Sequence, residues 1–239
     1  MIKQFINKLM GKAPASTKTS LGKRHVVPAK VHGINVDWVD ERALNVVRTL
    51  QDRGFEAYIV GGAVRDLLLG LKPKDFDVAT NATPEQVKAA FRRAFIIGRR
   101  FRIVHVVYGR GREHEVIEVS TFRAHLDNAD AEQVKGNERS SKQELANMKH
   151  AVDASGRVLR DNVWGPQDQD AARRDFTINA MYYDPETGNV IDYHGGIADA
   201  KKKVIRMIGD PATRYREDPV RVIRAVRFAA KLSGLGFKM

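Results

Sequence analysis

A short apolar run, Ala57–Val60, ends in Gly61-Gly62, and a helical run over residues 63–69 follows and is closed by Gly70. A strand that passes into a helix through paired glycines constrains the local fold more than any other feature of this chain. Glycine accepts the backbone angles of such a turn and lets main-chain N–H groups come close to an anion, while the helix N-terminus adds positive potential. Arg65 adds a formal charge, and Asp66 follows it. The spacing is neither a Walker A loop nor a GxGxxG fingerprint. On these residues alone a purely structural turn is the more frequent reading, with a phosphate cradle as the alternative.

The pattern on either side alternates between helix and strand. Val39, Ala43, Val46, Val47 and Leu50 recur at helical spacing before Gly54. Residues 75–80 alternate, with Phe76 and Val78 facing one way and Asp75 and Asp77 the other. Thr83-Pro84-Glu85-Gln86 starts a helix with a capping box and Pro at the first position, and that helix is expected to run to about Arg93. Strands at 101–108 and 114–122 are joined by Gly109-Arg-Gly-Arg as a hairpin. From 124 to about 160 the chain is polar and too long for an ordinary loop, so it is expected to be mobile or functional. A helix through 170–181, strands at 190–193 and 204–208, and a helix opened by Asp218-Pro219 complete the pattern.

These elements predict an α/β (α+β) fold, a small mixed sheet with flanking helices. The expected divisions are a basic flexible tail at 1–36, a head at 37–208, and the start of a helical neck at 209–239. The last helix carries Val220, Ile223, Val226 and Phe228 with little sequence left to cover them, so more chain is expected to follow.

Charge says what such a domain meets. Lys and Arg number 41 against 29 Asp and Glu in 239 residues, a net +12 that points to a polyanion, nucleic acid first and an anionic membrane surface second. The terminal MIKQFINKLMGK lacks the apolar core of a secretory signal and reads as a frayed basic end, with weak membrane-surface association as the sharper alternative. No cysteine is present, which excludes a disulfide framework, a cysteine nucleophile and thiolate-bound metal, and fits a cytoplasmic location. No apolar run approaches the ~18 residues of a membrane span.

Asp75 and Asp77, at i and i+2 of a strand, put two carboxylates side by side. Like charges so close are unfavourable unless a cation lies between them, and Mg²⁺ suits paired carboxylates together with substrate phosphates. Lys72 and Lys74 offer the simpler pairing of a solvated edge. The Asp pair, however, lies one short helix beyond the glycine turn.

Val60-Gly-Gly-Ala-Val-Arg-Asp-Leu-Leu-Leu-Gly followed by Lys74-Asp-Phe-Asp-Val resembles the nucleotidyltransferase superfamily around DNA polymerase beta. Within it, the chain is similar to the class II group of bacterial poly(A) polymerases and CCA-adding enzymes. The resemblance continues through Ile117-Glu-Val-Ser-Thr-Phe-Arg, Arg173-Arg-Asp-Phe-Thr-Ile-Asn-Ala and Arg216-Glu-Asp-Pro-Val-Arg. It implies a site of two Mg²⁺ ions held by Asp75, Asp77 and a third carboxylate, for which Glu118, between Ile117 and Val119, is chosen. It implies that Gly61, Gly62 and Arg65 hold the triphosphate, that Asp66, Arg174 and Asn179 belong to the nucleotide-binding set, and that Asp175 is catalytic or holds neighbouring arginines. Asp218, Arg221 and Arg224 would read the edge of the incoming base.

Gly98-Arg-Arg-Phe-Arg-Ile-Val-His-Val resembles the poly(A) polymerase side of the group, and Arg99, Arg100 and Arg102 would contact RNA phosphates without reading bases. The activity implied is template-independent transfer of AMP from ATP to RNA 3′ ends, with RNA rather than DNA as partner. CCA addition to tRNA is the enzymatic alternative. An inactive head serving as an RNA-binding regulator is the alternative of another class.

Overall fold

The computed structural model describes residues 20–98, 101–109, 111, 114–125, 132–133, 150–152 and 158–239. In chain order the elements are β1 (His25–Val27), α1 (Ala29–His32), α2 (Glu41–Asp52), β2 (Ala57–Val60), α3 (Gly62–Leu68), β3 (Asp77–Thr80), α4 (Pro84–Ala90), β4 (Ala94–Ile97), β5 (Ile103–Tyr108) and β6 (Glu115–Thr121). Then come β7 (Glu132–Gln133), β8 (His150–Val152), β9 (Val158–Asp161), α5 (Gln167–Ala172), β10 (Met181–Asp184), β11 (Asn189–Asp192), α6 (Gly196–Lys202), α7 (Pro211–Glu217) and α8 (Val220–Ser233).

Among the described residues, eight strands form one sheet in the order β1-β11-β10-β2-β3-β6-β5-β4. Neighbours are antiparallel except β3 and β6, which run parallel. Period-two alternation divides the side chains between the faces. Ala57, Ile59, Val78, Val104, Val106, Ile117 and Val119 join Val46, Val47 and Leu50 of α2 in the main core. Val60, Ala79, Phe122 and Tyr182 point the other way and meet Ala171 of α5. A third cluster joins Phe176 and Ile178 to Ala225 and Leu232 of α8, so the last helix is tied to the sheet domain through the turn that follows α5.

Local signals place several elements as expected. Thr83 and Gln86 exchange the reciprocal bonds of a capping box at α4. Asp40 caps α2 through Oδ1, which accepts the Arg42 N–H at 2.8 Å, and residues 36–38 form a short 3₁₀ turn ahead of it.

Other expectations are corrected. The helix expected at 170–181 is broken: α5 ends at Ala172, a 3₁₀ turn holds Thr177–Asn179, and Met181 starts a strand. The helix expected to reach Arg93 stops at Ala90, and Ala94–Ile97 becomes the edge strand β4. Residues 204–208 make only isolated bridges, Val204 with Lys238 and Met207 with Phe176. Within 124–160, β7, β8 and β9 pair as a separate three-stranded sheet. The initial twelve-residue basic segment lies outside the described residues. Order does not wait for Asp37, because His25–Val27 pairs antiparallel with β11.

His32 ties this early segment down. Its Nε2 lies 2.9 Å from the Gly188 carbonyl and its Nδ1 accepts the Ile34 N–H at 3.0 Å, so the neutral ring satisfies both contacts. Burial lowers its pKa from the ordinary 6.5, against the Gly188 bond, which raises it. A native pKa below the unfolded value means that stability is full above about pH 6.5 and declines as pH falls below it. A proton on Nδ1 would also face the Ile34 N–H. Hydrogen-exchange protection at Ile34 and β1 is therefore expected to drop on acidification from pH 7 to 5, and His32→Phe is expected to flatten that dependence.

Candidate active site

The glycine turn and the strand beside it converge. Gly61 has φ +74° and ψ −139°, a conformation that only glycine adopts without strain. A Cβ there would lie 3.6 Å from Asp77 Oδ2, so conformation rather than space demands glycine, and the turn's backbone borders the carboxylate. Val60 pairs with Asp77 across β2 and β3.

On the other side of Asp77 lies Glu118. The parallel pairing of β3 and β6 makes the two residues direct register partners. Their neighbours Val78, Ile117 and Val119 are buried in the main core, so both carboxylates stand on the opposite face. Asp77 is reachable by solvent yet walled by protein. Desolvation, then Glu118, then Asp75 push its pKa up to about 6, with Arg174 opposing. Asp75, just before β3, is exposed. His105, the register partner of Glu118 on β5, places Nε2 at 3.4 Å from Glu118 Oε1.

Among the described residues, no group of three His, Asp or Glu side chains is already arranged to hold a metal ion. The donor chemistry nevertheless fits a hard divalent cation. Asp75, Asp77 and Glu118 offer oxygen only, and their mutual repulsion, visible at Asp77, is what such a cation would relieve.

Behind these acids lies a buried polar network that joins Arg174, expected at the site, to Asp170 and Tyr182, which were not. Asp170, fully buried on α5, accepts from Arg173 Nε at 3.1 Å, Arg174 Nη2 at 3.0 Å, the Tyr182 hydroxyl at 2.8 Å and the Arg123 backbone N–H at 3.1 Å. Burial alone would raise its pKa, but Arg174, Arg173 and these bonds hold it well below the usual carboxylate range. Arg174 is thereby fixed, also donates to the Asn179 carbonyl at 3.4 Å, and lies over the Tyr182 ring. The i, i+3 and i, i+4 spacing of Asp170 to Arg173 and Arg174 was the available sequence signal.

Arg65 is 2% exposed. Its guanidinium donates to Asp66 Oδ1 at 2.7 and 2.9 Å and to Asn179 Oδ1 at 3.0 Å. It therefore braces the glycine turn against Asn179 and does not present a free cation to a phosphate. Asp175 is buried and ion-paired with Arg221 Nε at 2.8 Å and Arg224 Nε at 2.9 Å, both from α8. Arg221 Nη1 also donates to Glu217 Oε2 and to the Arg214 carbonyl, each at 2.8 Å.

Arg214, 1% exposed, donates to the carbonyls of Arg173 and Arg174 at 2.6 and 2.8 Å. Burial and the nearby Arg221 bring its pKa down to about 10. Asp218 ends α7 and receives the Arg221 N–H on its carbonyl at 2.9 Å, and Pro219 rather than Asp218 stands at the N-cap position of α8. The Arg102 side chain is engaged by Glu85. Arg99 and Arg100 lie outside the described residues.

A strand–glycine–helix turn beside an acidic pair on neighbouring strands defines a nucleotidyltransferase head of class II type. The chain belongs to the Poly A polymerase head domain family, whose model matches residues 57–206. It is 50% identical over 222 residues to Poly(A) polymerase I of Haemophilus influenzae, covering 92% of this chain and 45% of that protein. It is 38% identical over 191 residues to the CCA-adding enzyme of Lactobacillus helveticus, covering 80% of this chain and 41% of that protein. The solved Bacillus stearothermophilus CCA-adding enzyme in complex with CTP superposes with a TM-score of 0.57 at 34% identity, covering 78% of this chain and 38% of the other. The chain thus spans about half the length of the curated relatives it matches. Among the described residues, no helix is long and apolar enough to cross a membrane.

Proposed function

We propose that this chain carries the catalytic head of a template-independent polynucleotide adenylyltransferase, which joins AMP from ATP to RNA 3′-hydroxyls and releases pyrophosphate. The observation that supports it most is the register pairing of Asp77 with Glu118 beside the Gly61 turn. The greater identity to a poly(A) polymerase I than to a CCA-adding enzyme favours ATP and generic RNA over tRNA repair.

Asp75, Asp77 and Glu118 would hold Mg²⁺, and the bound ion would supply Lewis-acid charge at the reacting oxygens. The Gly61-Gly62 backbone would receive the triphosphate. Arg174, fixed by Asp170 and Tyr182, would set a positive charge beside Asp77. Asp66 and Asn179 hold Arg65 and with it the turn. Asp175 would act by fixing Arg221 and Arg224 rather than by touching the reacting atoms.

Residues 209–239 would begin a neck leading to the RNA-binding body, a reading supported by the exposure of Val220, Val222, Ile223 and Val226 on α8. Extension of a labelled generic RNA with each NTP alone tests the activity. Efficient extension by ATP supports it, whereas CTP incorporation before ATP on tRNA lacking its end would favour CCA addition. No turnover of ATP with Mg²⁺ by the full-length protein would favour the regulator.

Arg221 is proposed to read the base. Its Nε and Nη1 are fixed by Asp175, Glu217 and the Arg214 carbonyl, which leaves Nη2 for a partner. Arg221→Ala is expected to lower the ATP-to-CTP incorporation ratio by roughly tenfold, the scale of one lost charge-assisted bond. RNA affinity at fixed salt should change less. An unchanged ratio with weaker RNA binding would make Arg221 an RNA contact instead.

A further inference from the structure

We propose that the outer half of the large sheet is the track for the 3′ end of a single-stranded RNA, with Phe95 as a stacking platform for one of its bases. The inference rests on the adenylyltransferase reading and adds where the acceptor lies. Register partners run in one row across the strands: Asp77 with Glu118, Glu118 with His105, and His105 with Phe95. Residues paired this way share a face, and the 3.4 Å approach of His105 to Glu118 occurs on it. The row therefore leads from the acidic pair to the sheet edge over three strand spacings, ~14 Å.

The opposite face is already filled. Val104, Val106, Ile117 and Val119 belong to the main core. On the row's face Phe95 is 54% exposed, and Ile97, two residues on, is 42% exposed. Single exposed apolar side chains need no explanation. These two continue a line that starts at the reacting groups.

The sheet order also divides the substrates. Gly61 follows β2, on one side of Asp77, so the nucleotide takes that side. The acceptor must then approach from the Glu118 side, which is the side of β5 and β4. Exposed Arg92 and Arg93 precede β4 directly in the chain, whereas Arg102, before β5, is already paired with Glu85. An exposed aromatic side chain close in sequence to exposed arginines suits a strand of unspecified sequence, because every base offers a π face. It suits RNA better than a protein strand added to the β4 edge, which would gain nothing from alignment with Glu118.

The test uses the full-length protein with Phe95→Ala and Phe95→Trp, and a labelled oligoadenylate beside an oligomer of mixed sequence. Equilibrium binding at fixed salt and the KM values for RNA and ATP are measured. Phe95→Ala is expected to raise both the RNA Kd and the RNA KM about tenfold for both oligomers. The KM for ATP should stay unchanged, the salt dependence should keep its slope because no phosphate contact is removed, and Phe95→Trp should restore binding. Unchanged RNA Kd and KM in Phe95→Ala would overturn the track. So would intact RNA binding with lost self-association, which would make the edge a protein contact. Loss of RNA binding on Phe95→Ala in a protein that extends no RNA supports the track and overturns the adenylyltransferase reading alone.

Discussion

Asp77→Asn is expected to lower RNA extension by at least about a thousandfold while leaving the head folded and, in the absence of divalent cation, no less stable than the wild type. A metal ligand supplies several kcal/mol of charge stabilisation at the reacting oxygens, and each ~1.4 kcal/mol is a factor of ten. The stability half follows from electrostatics. Desolvation, Glu118 and Asp75 raise the Asp77 pKa to about 6, so its charged form is disfavoured in the native state near pH 7. Asn removes that charge, keeps the shape, and leaves the core residues Phe76 and Val78 in place. The two proteins should separate when Mg²⁺ is added. The wild type should gain thermal stability by mass action and the variant should gain less. Activity near that of the wild type, or an equal Mg²⁺ shift in both proteins, would remove Asp77 from the metal site.

What the sequence made legible was local. The strand at Ala57–Val60 and the α4 cap are written in adjacent residues, and both stand where expected. Asp77 and the Gly61 turn were readable because each belongs to a short motif. Glu118 was not readable from its surroundings, because its place beside Asp77 depends on a parallel pairing between distant strands. The resemblance to a family supplied that residue, and the register sets it next to Asp77. The run at 170–181 has enough apolar periodicity for one helix, but the chain bends after Ala172, where Arg173 and Arg174 turn their side chains back to Asp170 and their carbonyls to Arg214. The bonds from Arg214 to those two carbonyls override helical preference there, and no local pattern announces a partner some forty residues away. The strand β4 was hidden for a related reason, since the pairing of Ala94–Ile97 with β5 decides between strand and a further helical turn.

Asp170→Ala is expected to destabilise the head by about 3–5 kcal/mol, the usual cost of deleting one partner from a buried ion pair. The carboxylate is fully buried and receives two guanidinium groups, a tyrosine hydroxyl and a backbone N–H. Its removal leaves the Arg174 charge and the Tyr182 hydroxyl without that acceptor in a dry region. Asp170→Asn keeps the shape and one acceptor oxygen but not the charge, and should fall between the two. The carboxyl is held below the usual range, so its contribution is present above the unfolded pKa of about 3.8 and is lost only as pH falls through the native value. Denaturant melts at pH 7 and pH 5 should therefore show the same deficit. The functional effect follows from Arg174, whose guanidinium depends on Asp170 and Tyr182 for its position beside Asp77. ATP affinity of the Asn variant, measured at a temperature where it remains folded, should weaken more than RNA affinity, because RNA is gathered by the basic surface as a whole. A deficit under about 1 kcal/mol in Asp170→Ala would show that water replaces the carboxylate, and that Arg174 is held by Tyr182 and Asn179 without it.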